Sequence, residues 1–166
     1  MIQTKVKKMT AASLLIAIGV VSAHLIYIPV GVSKVFPVQH AINILAAMMF
    51  GPAYSVAIAF LISLIRNLLG TGSLLAFPGS MIGAFLASVL YKKMQKPIYA
   101  MLGEVFGTGI IGAVVCYPVA KYLMGKEAAM FFYVSPFIAS SFGGVIIGYA
   151  IFNVILKTGV LGLYEN

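Results

Sequence analysis

The sequence has little charge, and negative charge is especially scarce. Only 8% of its 166 residues are charged, and three acidic residues, none of them aspartate, stand against eleven lysines and arginines. A soluble domain has about 25% charged residues, whereas 62% of this chain is hydrophobic. The composition therefore excludes an ordinary soluble domain. It predicts an integral membrane protein with one domain over residues 1–166.

Cysteine and histidine are also too scarce for several kinds of chemistry. Cys116 is the only cysteine, which excludes an internal disulfide and a metal cluster built on thiolates. The two histidines, His24 and His40, have no carboxylate near them in the sequence, so they make a poor metal site. No serine lies in a nucleophile elbow, and no ATP-binding motif is present. We therefore expect no enzymatic activity, no cofactor and no bound metal.

The net charge of +8 is explained by membrane topology. The lysines lie at the ends of apolar runs, which is typical of topology determinants and argues against a nucleic-acid partner. With a cytoplasmic N-terminus, the lysines inside the cell are Lys5, Lys7, Lys8, Lys92, Lys93, Lys96 and Lys157, and those outside are Lys34, Lys121 and Lys126. This excess on the inside satisfies the positive-inside rule.

Six apolar runs are candidate transmembrane helices. They cover residues 9–30, 37–50, 52–69, 78–91, 97–123 and 131–156. The second and fourth are shorter than the roughly 20 residues of a typical span, and we expect their neighbours to shield them. Prolines 37, 52, 78 and 97 begin predicted helices, where a missing N–H costs nothing, and Pro29 falls in the outer turn of the first. The predicted fold is an all-α bundle of six transmembrane helices with both termini in the cytoplasm.

Arg66 and Glu104 are charged residues that fall within predicted helices. Arg66 is the only arginine, and Glu104 is the only acidic residue in a predicted span. Each is costly at membrane depth unless it is paired or hydrated, so we expect them to pair directly or through water. The pair either fixes helix packing or faces a ligand cavity, and the sequence leaves both open.

Further polar and aromatic residues lie near the predicted outer ends of the helices. His40 and Asn43 are three residues apart and share a helical face. Ser80 lies in the first turn of the fourth helix, whose positive end suits a ligand hydroxyl or ring nitrogen. Asn67 and Ser80 are otherwise helix caps, and the tyrosines otherwise belong to the membrane interface. The candidate substrate-binding residues are Glu104, Asn67, Ser80, His40, Asn43, Arg66, Phe77, Tyr117, Tyr133 and Ser135.

These candidates have different expected roles. Phe77, Tyr117 and Tyr133 are predicted as walls of the cavity, and Arg66 is predicted to orient Glu104 or support the outer loop. The loops over residues 31–36 and 70–77 contain glycine and are candidate lids. On the first helix, Ser13 and Ala17 have the spacing of small residues that lets another helix approach closely. They serve either internal packing or docking of another membrane subunit.

Two segments resemble a known family. Residues 65–84 (IRNLLGTGSLLAFPGSMIGA) and 103–112 (GEVFGTGIIG) are similar to the signature of the ThiW family. The whole chain resembles the substrate-binding S components of energy-coupling factor (ECF) transporters.

The resemblance implies a subunit in the cytoplasmic membrane of a prokaryote that captures hydroxyethylthiazole, a thiamine precursor, from outside. It also implies three partners besides the lipid bilayer, namely a transmembrane T subunit and two cytoplasmic ATPases that supply the energy. The first helix would contact the T subunit, with Ser13 standing where an alanine is expected. Three alternatives stay open at this point: an S component for another vitamin or precursor, a self-sufficient secondary transporter, and a structural subunit.

Overall fold

The computed structural model describes residues 2–30, 33–127 and 129–158, which form six helices and one short hairpin. The helices are α1 (Ile2–Leu25), α2 (Pro37–Phe50), α3 (Pro52–Leu68), α4 (Ala76–Met94), α5 (Pro97–Leu123) and α6 (Val134–Lys157). By length and composition, α5, α6 and the Lys5–Ala23 segment of α1 can each cross a membrane, while α2 and α3 are shorter apolar helices. The predicted all-α membrane bundle is confirmed.

The first helix ends earlier than predicted, because a β-hairpin follows it. Strands β1 (Ile28–Val30) and β2 (Ser33–Val35) pair antiparallel, with Pro29 opposite Lys34. Pro29 therefore lies in a strand and not in the outer turn of a helix. A proline is tolerated there because a two-stranded sheet has free edges that need no N–H. Gly31 and Val32 of the predicted lid, and the side chain of His24, lie outside the described residues.

Helix α2 is the centre of the bundle. It contacts each of the other five helices, and eleven of its fourteen residues are buried. Its short length is compatible with a membrane because neighbouring helices, and not lipid, surround it. Three polar residues of α2 that are buried in this way, Gln39, His40 and Asn43, therefore meet their partners inside the protein.

The polarity of the bundle is reversed relative to a soluble protein. Large apolar side chains such as Leu14, Phe85 and Ile146 are about half exposed, while polar side chains such as Ser55, Ser88 and Thr108 are buried. Some of the buried groups pair with each other, as Ser88 Oγ donates to Ser55 Oγ over 2.8 Å. An apolar outer surface with a polar interior is suited to a lipid environment, where every polar group must be satisfied within the protein.

Helices α4 and α5 touch through their backbones. A Cβ added to Gly103 would lie 2.7 Å from Ala87 Cα, and one added to Gly107 would lie 2.8 Å from Gly83 Cα. This close approach depends on small residues. Within α5, residues Gly107–Gly112 wind as a π-helix, a feature that often marks functional positions. A second π-helical segment, Val119–Leu123, follows Pro118, which lacks the N–H of a regular α-helix.

We predict that Gly103→Ala destabilises the protein by about 1–3 kcal/mol, since the new methyl group meets only backbone atoms that cannot rotate away. The thermal unfolding midpoint of the detergent-purified protein measures this. Gly143→Ala is the matched control, because its added Cβ has only an ordinary contact with Pro37 at 3.6 Å. Equal midpoints for the two variants would contradict the predicted importance of the α4–α5 contact.

Candidate ligand-binding site

A cavity of about 520 Å³ lies at the end of the bundle where α1, α3 and α5 end and α2, α4 and α6 begin. Its volume is in the usual range for small-molecule sites, about 300–1,000 Å³. Residues of the β2 end and of the loop between α3 and α4 line it together with the helix ends. Both predicted lid loops are thus next to the cavity.

Aromatic side chains form much of the wall. The four that line the cavity are Tyr27, Phe36, Tyr133 and Phe137. Tyr133 is buried, and its ring centroid lies 6.2 Å from that of Phe137. The backbone N–H of Phe36 donates to Ser140 Oγ over 2.9 Å, which ties the end of the hairpin to α6. The wall suits a flat, apolar ligand.

A buried group that we call the carboxylate cluster (His40, Asn43, Glu104 and Thr108) lies below the cavity. Three donors surround Glu104 Oε1: His40 Nδ1 at 2.8 Å, Asn43 Nδ2 at 2.9 Å and Thr108 Oγ1 at 3.0 Å. Glu104 itself has no exposed surface. Hydrogen bonds from two helices, α2 and α5, thus solvate one oxygen of a side chain that would be costly alone in the membrane, while Oε2 has no partner among the described residues.

The carboxylate cluster determines which ring nitrogen of His40 is available to the cavity. A carboxylate only accepts hydrogen bonds, so Nδ1 carries a proton, and in the neutral form of the ring Nε2 has a lone pair. His40 lines the cavity, and among the described residues Nε2 has no partner. In that neutral form, the floor of the cavity presents a hydrogen-bond acceptor.

A second group, the guanidinium cluster (Gln39, Ser63, Arg66 and Thr71), lies at the side of the cavity. Arg66 Nη1 donates to Gln39 Oε1, and Nη2 donates to the carbonyl of Thr71 over 3.1 Å. The guanidinium carbon also lies 4.1 Å from the centroid of the Phe36 ring. Arg66 thus connects the α3–α4 loop with the residue that follows the hairpin.

Ser80 connects the two clusters. Its hydroxyl lies 3.2 Å from Ser63 Oγ, which accepts from Gln39 Nε2, also over 3.2 Å. Its carbonyl accepts from Asn43 Nδ2 over 3.2 Å. Arg66 and Glu104 are therefore linked through hydrogen bonds, and within the described residues each has its own partners and no direct contact with the other.

Asn67 holds the α3–α4 loop. Its Nδ2 donates to the carbonyls of Ser63, over 2.8 Å, and Ser73, over 3.1 Å. The N–H groups of Thr71 and Gly72 donate to the carbonyl of Arg66. Because a Cβ added to Gly72 would lie 3.1 Å from Arg66 Cβ, the loop folds closely over the arginine. Asn67 shapes the site without lining the cavity.

The structure separates the predicted site residues into three sets. His40, Arg66, Ser80 and Tyr133 line the cavity, while Asn43, Asn67 and Glu104 support it from behind. The remaining three, Phe77, Tyr117 and Ser135, do not line it. Phe77 packs against Phe60 with centroids 5.7 Å apart, Tyr117 lies beside Lys121, and Ser135 is exposed.

Helical geometry accounts for Ser135 and Tyr117. Neighbouring residues of a helix point about 100° apart. Pro136 lines the cavity, so Ser135 faces away from it. Cys116 is buried and donates to the carbonyl of Leu75, so Tyr117 faces outward. Sequence position near a helix end therefore did not determine the direction of these side chains.

Several lining residues were not among the candidates. They are chiefly Phe36, Gln39, Thr71, Thr108, Lys126, Phe137 and Ser140. Two had a signal in the sequence, since Gln39 precedes His40 and Thr108 lies one helical turn after Glu104. The others depend on how α6 and the two loops fold over the cavity, which no local pattern shows.

Comparison with known proteins gave one finding. The family model described as thiamine-precursor transporter protein (ThiW) matches residues 9–158. The match covers most of the chain and both segments that carried the resemblance. No curated protein and no solved structure matches the chain.

We predict that Glu104→Leu lowers the free energy of unfolding by about 3 kcal/mol, because it leaves the buried donors of His40 and Asn43 without this acceptor, while the Thr108 hydroxyl can still donate to the Gly79 carbonyl. Thr108→Val removes one hydrogen bond and should cost about 1 kcal/mol. The thermal unfolding midpoints of both variants in detergent show which change is the more destabilising. If Thr108→Val were the more damaging change, the central role of the carboxylate would be disproved.

Proposed function

Because the chain belongs to the ThiW family of thiamine-precursor transporters, we propose that it is the substrate-binding S component of an ECF-type importer and that it captures hydroxyethylthiazole. The family is one of transporters, and the chain is not an enzyme. The observation that supports this ligand is the cavity with aromatic walls and with His40, whose Nδ1 lies 2.8 Å from Glu104 Oε1, on its floor.

A thiazole alcohol has the chemical features that this cavity suits. It has a flat aromatic ring, which packs against Tyr133 and Phe137, and one hydroxyl, which donates to His40 Nε2. Such a site rejects an analogue without the hydroxyl, since the buried acceptor is then left unpaired. The ligand leaves water almost entirely, as in most small-molecule sites.

The proposed location is the cytoplasmic membrane of a prokaryote, with the chain crossing it several times. The lysine distribution supports a cytoplasmic N-terminus. In that orientation the cavity opens to the outside. The β-hairpin and the α3–α4 loop then lie over its mouth, with Arg66 between them, and they act as the lids through which the ligand enters.

The proposed partners are a transmembrane T subunit and two cytoplasmic ATPases, which together supply the energy that this chain cannot supply. Ser13 and Ala17 are exposed on α1, and the neighbouring apolar residues Leu14, Ile18 and Val21 are 45–60% exposed. A surface of small and apolar residues lets another membrane helix approach closely. We assign this face of α1 to the T subunit.

We predict that Glu104→Gln raises the Kd for hydroxyethylthiazole at least about tenfold, equivalent to 1.4 kcal/mol. The amide is neutral and can turn its NH2 group toward His40, so it no longer dictates that Nδ1 carries the proton and that Nε2 accepts from the ligand hydroxyl. Isothermal titration calorimetry on the purified protein measures the Kd. Lys93→Gln, an exposed change at the opposite end of the bundle, is the control. An unchanged Kd in folded Glu104→Gln would remove the carboxylate cluster from ligand binding.

We predict that Ala17→Leu abolishes uptake but leaves the Kd unchanged, since a larger side chain separates α1 from the T subunit without reaching the cavity. Uptake is measured with labelled thiazole in cells that contain the complete transporter, and the Kd is measured by calorimetry. Normal uptake by this variant would count against α1 as the docking face.

A further inference from the structure

Arg66 is a buried cation without a counter-ion. Its side chain is only 2% exposed, and in the described part of the chain no carboxylate lies within 4 Å of it, since the one such contact found joins His40 to Glu104. Its partners are the neutral oxygens of Gln39 and Thr71 and the face of Phe36. These dipoles solvate the guanidinium but do not neutralise its charge. A buried charge is normally paired, because desolvation is otherwise too costly.

The cavity as a whole is also positive. Lys126 lines it together with Arg66, and no acidic residue is among the described residues that line it. Within the described ranges the acidic side chains are Glu104, which is enclosed by its three donors, and Glu127, which lies in a separate surface depression with Tyr117 and Lys121. The cavity therefore attracts negative charge.

We propose that the Arg66 and Lys126 side of the cavity is an oxyanion subsite, and that the preferred ligand is a thiazole precursor with a carboxylate or phosphate group. This proposal rests on the proposed capture of a thiazole precursor and specifies the charge of that precursor. Arginine is well suited to this task, because its planar guanidinium stays charged and its N–H groups match the geometry of both oxyanions.

The remaining hydrogen-bonding capacity of Arg66 supports the proposal. A guanidinium has five N–H donors, and the described residues accept from only two of its nitrogens. Nε is buried and has no partner among them. The contact with Phe36 holds the guanidinium plane but uses none of these donors. An incoming oxyanion supplies both the charge and the acceptors that the protein does not.

One ligand can reach both polar sites of the cavity. Gln39 of the guanidinium cluster and His40 of the carboxylate cluster are adjacent on α2, and Ser63 and Ser80 join the clusters by contacts of 3.2 Å. The cavity of about 520 Å³ has room for a substituted thiazole. A hydroxyl or ring atom at His40 Nε2 and an oxyanion near Arg66 are therefore compatible with the same bound molecule.

The test compares three ligands on the full-length protein, purified in detergent and freed of co-purified small molecules. They are hydroxyethylthiazole, its phosphate ester and its ring carboxylate, and calorimetry gives a Kd for each. We expect at least one anionic thiazole to bind about tenfold or more tightly than the neutral alcohol. Arg66→Gln should abolish this preference and Arg66→Lys should retain most of it, because only the lysine variant keeps the charge.

Lys126→Gln covers the possibility that Arg66→Gln fails to fold. Lys126 is exposed, so its replacement should leave the fold intact while it lowers the preference for the anionic ligand about threefold, a smaller effect because an exposed charge is screened. A preference that is unchanged in Lys126→Gln, and in Arg66→Gln where that variant folds, would overturn the proposal.

The outcomes separate this proposal from the proposed function. If all three thiazoles bind with equal affinity, the oxyanion subsite is wrong and thiazole capture stands. As a second probe, inorganic phosphate and acetate are added separately and the thermal unfolding midpoint is measured. If no thiazole binds but either anion stabilises the wild type and not Arg66→Gln, the subsite stands and thiazole capture is wrong. If no thiazole binds and neither anion stabilises the protein, both are wrong.

Discussion

The hydrogen bonds around the Glu104 carboxylate are the interaction on which the rest of the structure depends. A carboxyl group enclosed by membrane helices must find its donors within the protein, and here they come from α2 and from the next turn of α5. This requirement also explains Gly83, since a Cβ at that position would lie 2.7 Å from Glu104 Oε2. The close approach of α4 to α5 and the position of the central helix α2 both follow from enclosing this group.

The two charged residues have separate surroundings, and their separation gives the cavity its character. If Arg66 and Glu104 paired directly, their charges would cancel and neither would be available to a ligand in the cavity. Instead, neutral donors and His40 surround Glu104, and neutral acceptors surround Arg66. The cavity therefore has one polar site at His40 on its floor and a positive site at Arg66 on its side. Such an arrangement orients a ligand, since its two ends meet different chemistry.

Much of the fold was predictable, because local signals mark the helix boundaries. The signals are prolines at the starts of α2, α3 and α5 and lysines at the ends of apolar runs. The predicted helices 37–50 and 97–123 have the same boundaries in the structure. The hairpin after α1 was missed, because an apolar run of this length is indistinguishable from the end of a helix by hydropathy. Fewer than half of the candidate site residues line the cavity. Position near a helix end was visible in the sequence, but the direction of each side chain was not.

The sequence alone determined that this chain is a membrane bundle with scarce, individually costly polar groups, because composition and the spacing of prolines, lysines and apolar runs are local properties. It also identified Arg66 and Glu104 as groups that need partners. Tertiary structure alone decided which partners they have. The imidazole of His40, the amides of Gln39 and Asn43 and the carbonyl of Thr71 reach them only after α2 is packed at the centre and the α3–α4 loop folds over the cavity. Hydrogen bonds form over about 3 Å, and only the folded chain brings residues this far apart in sequence within that distance.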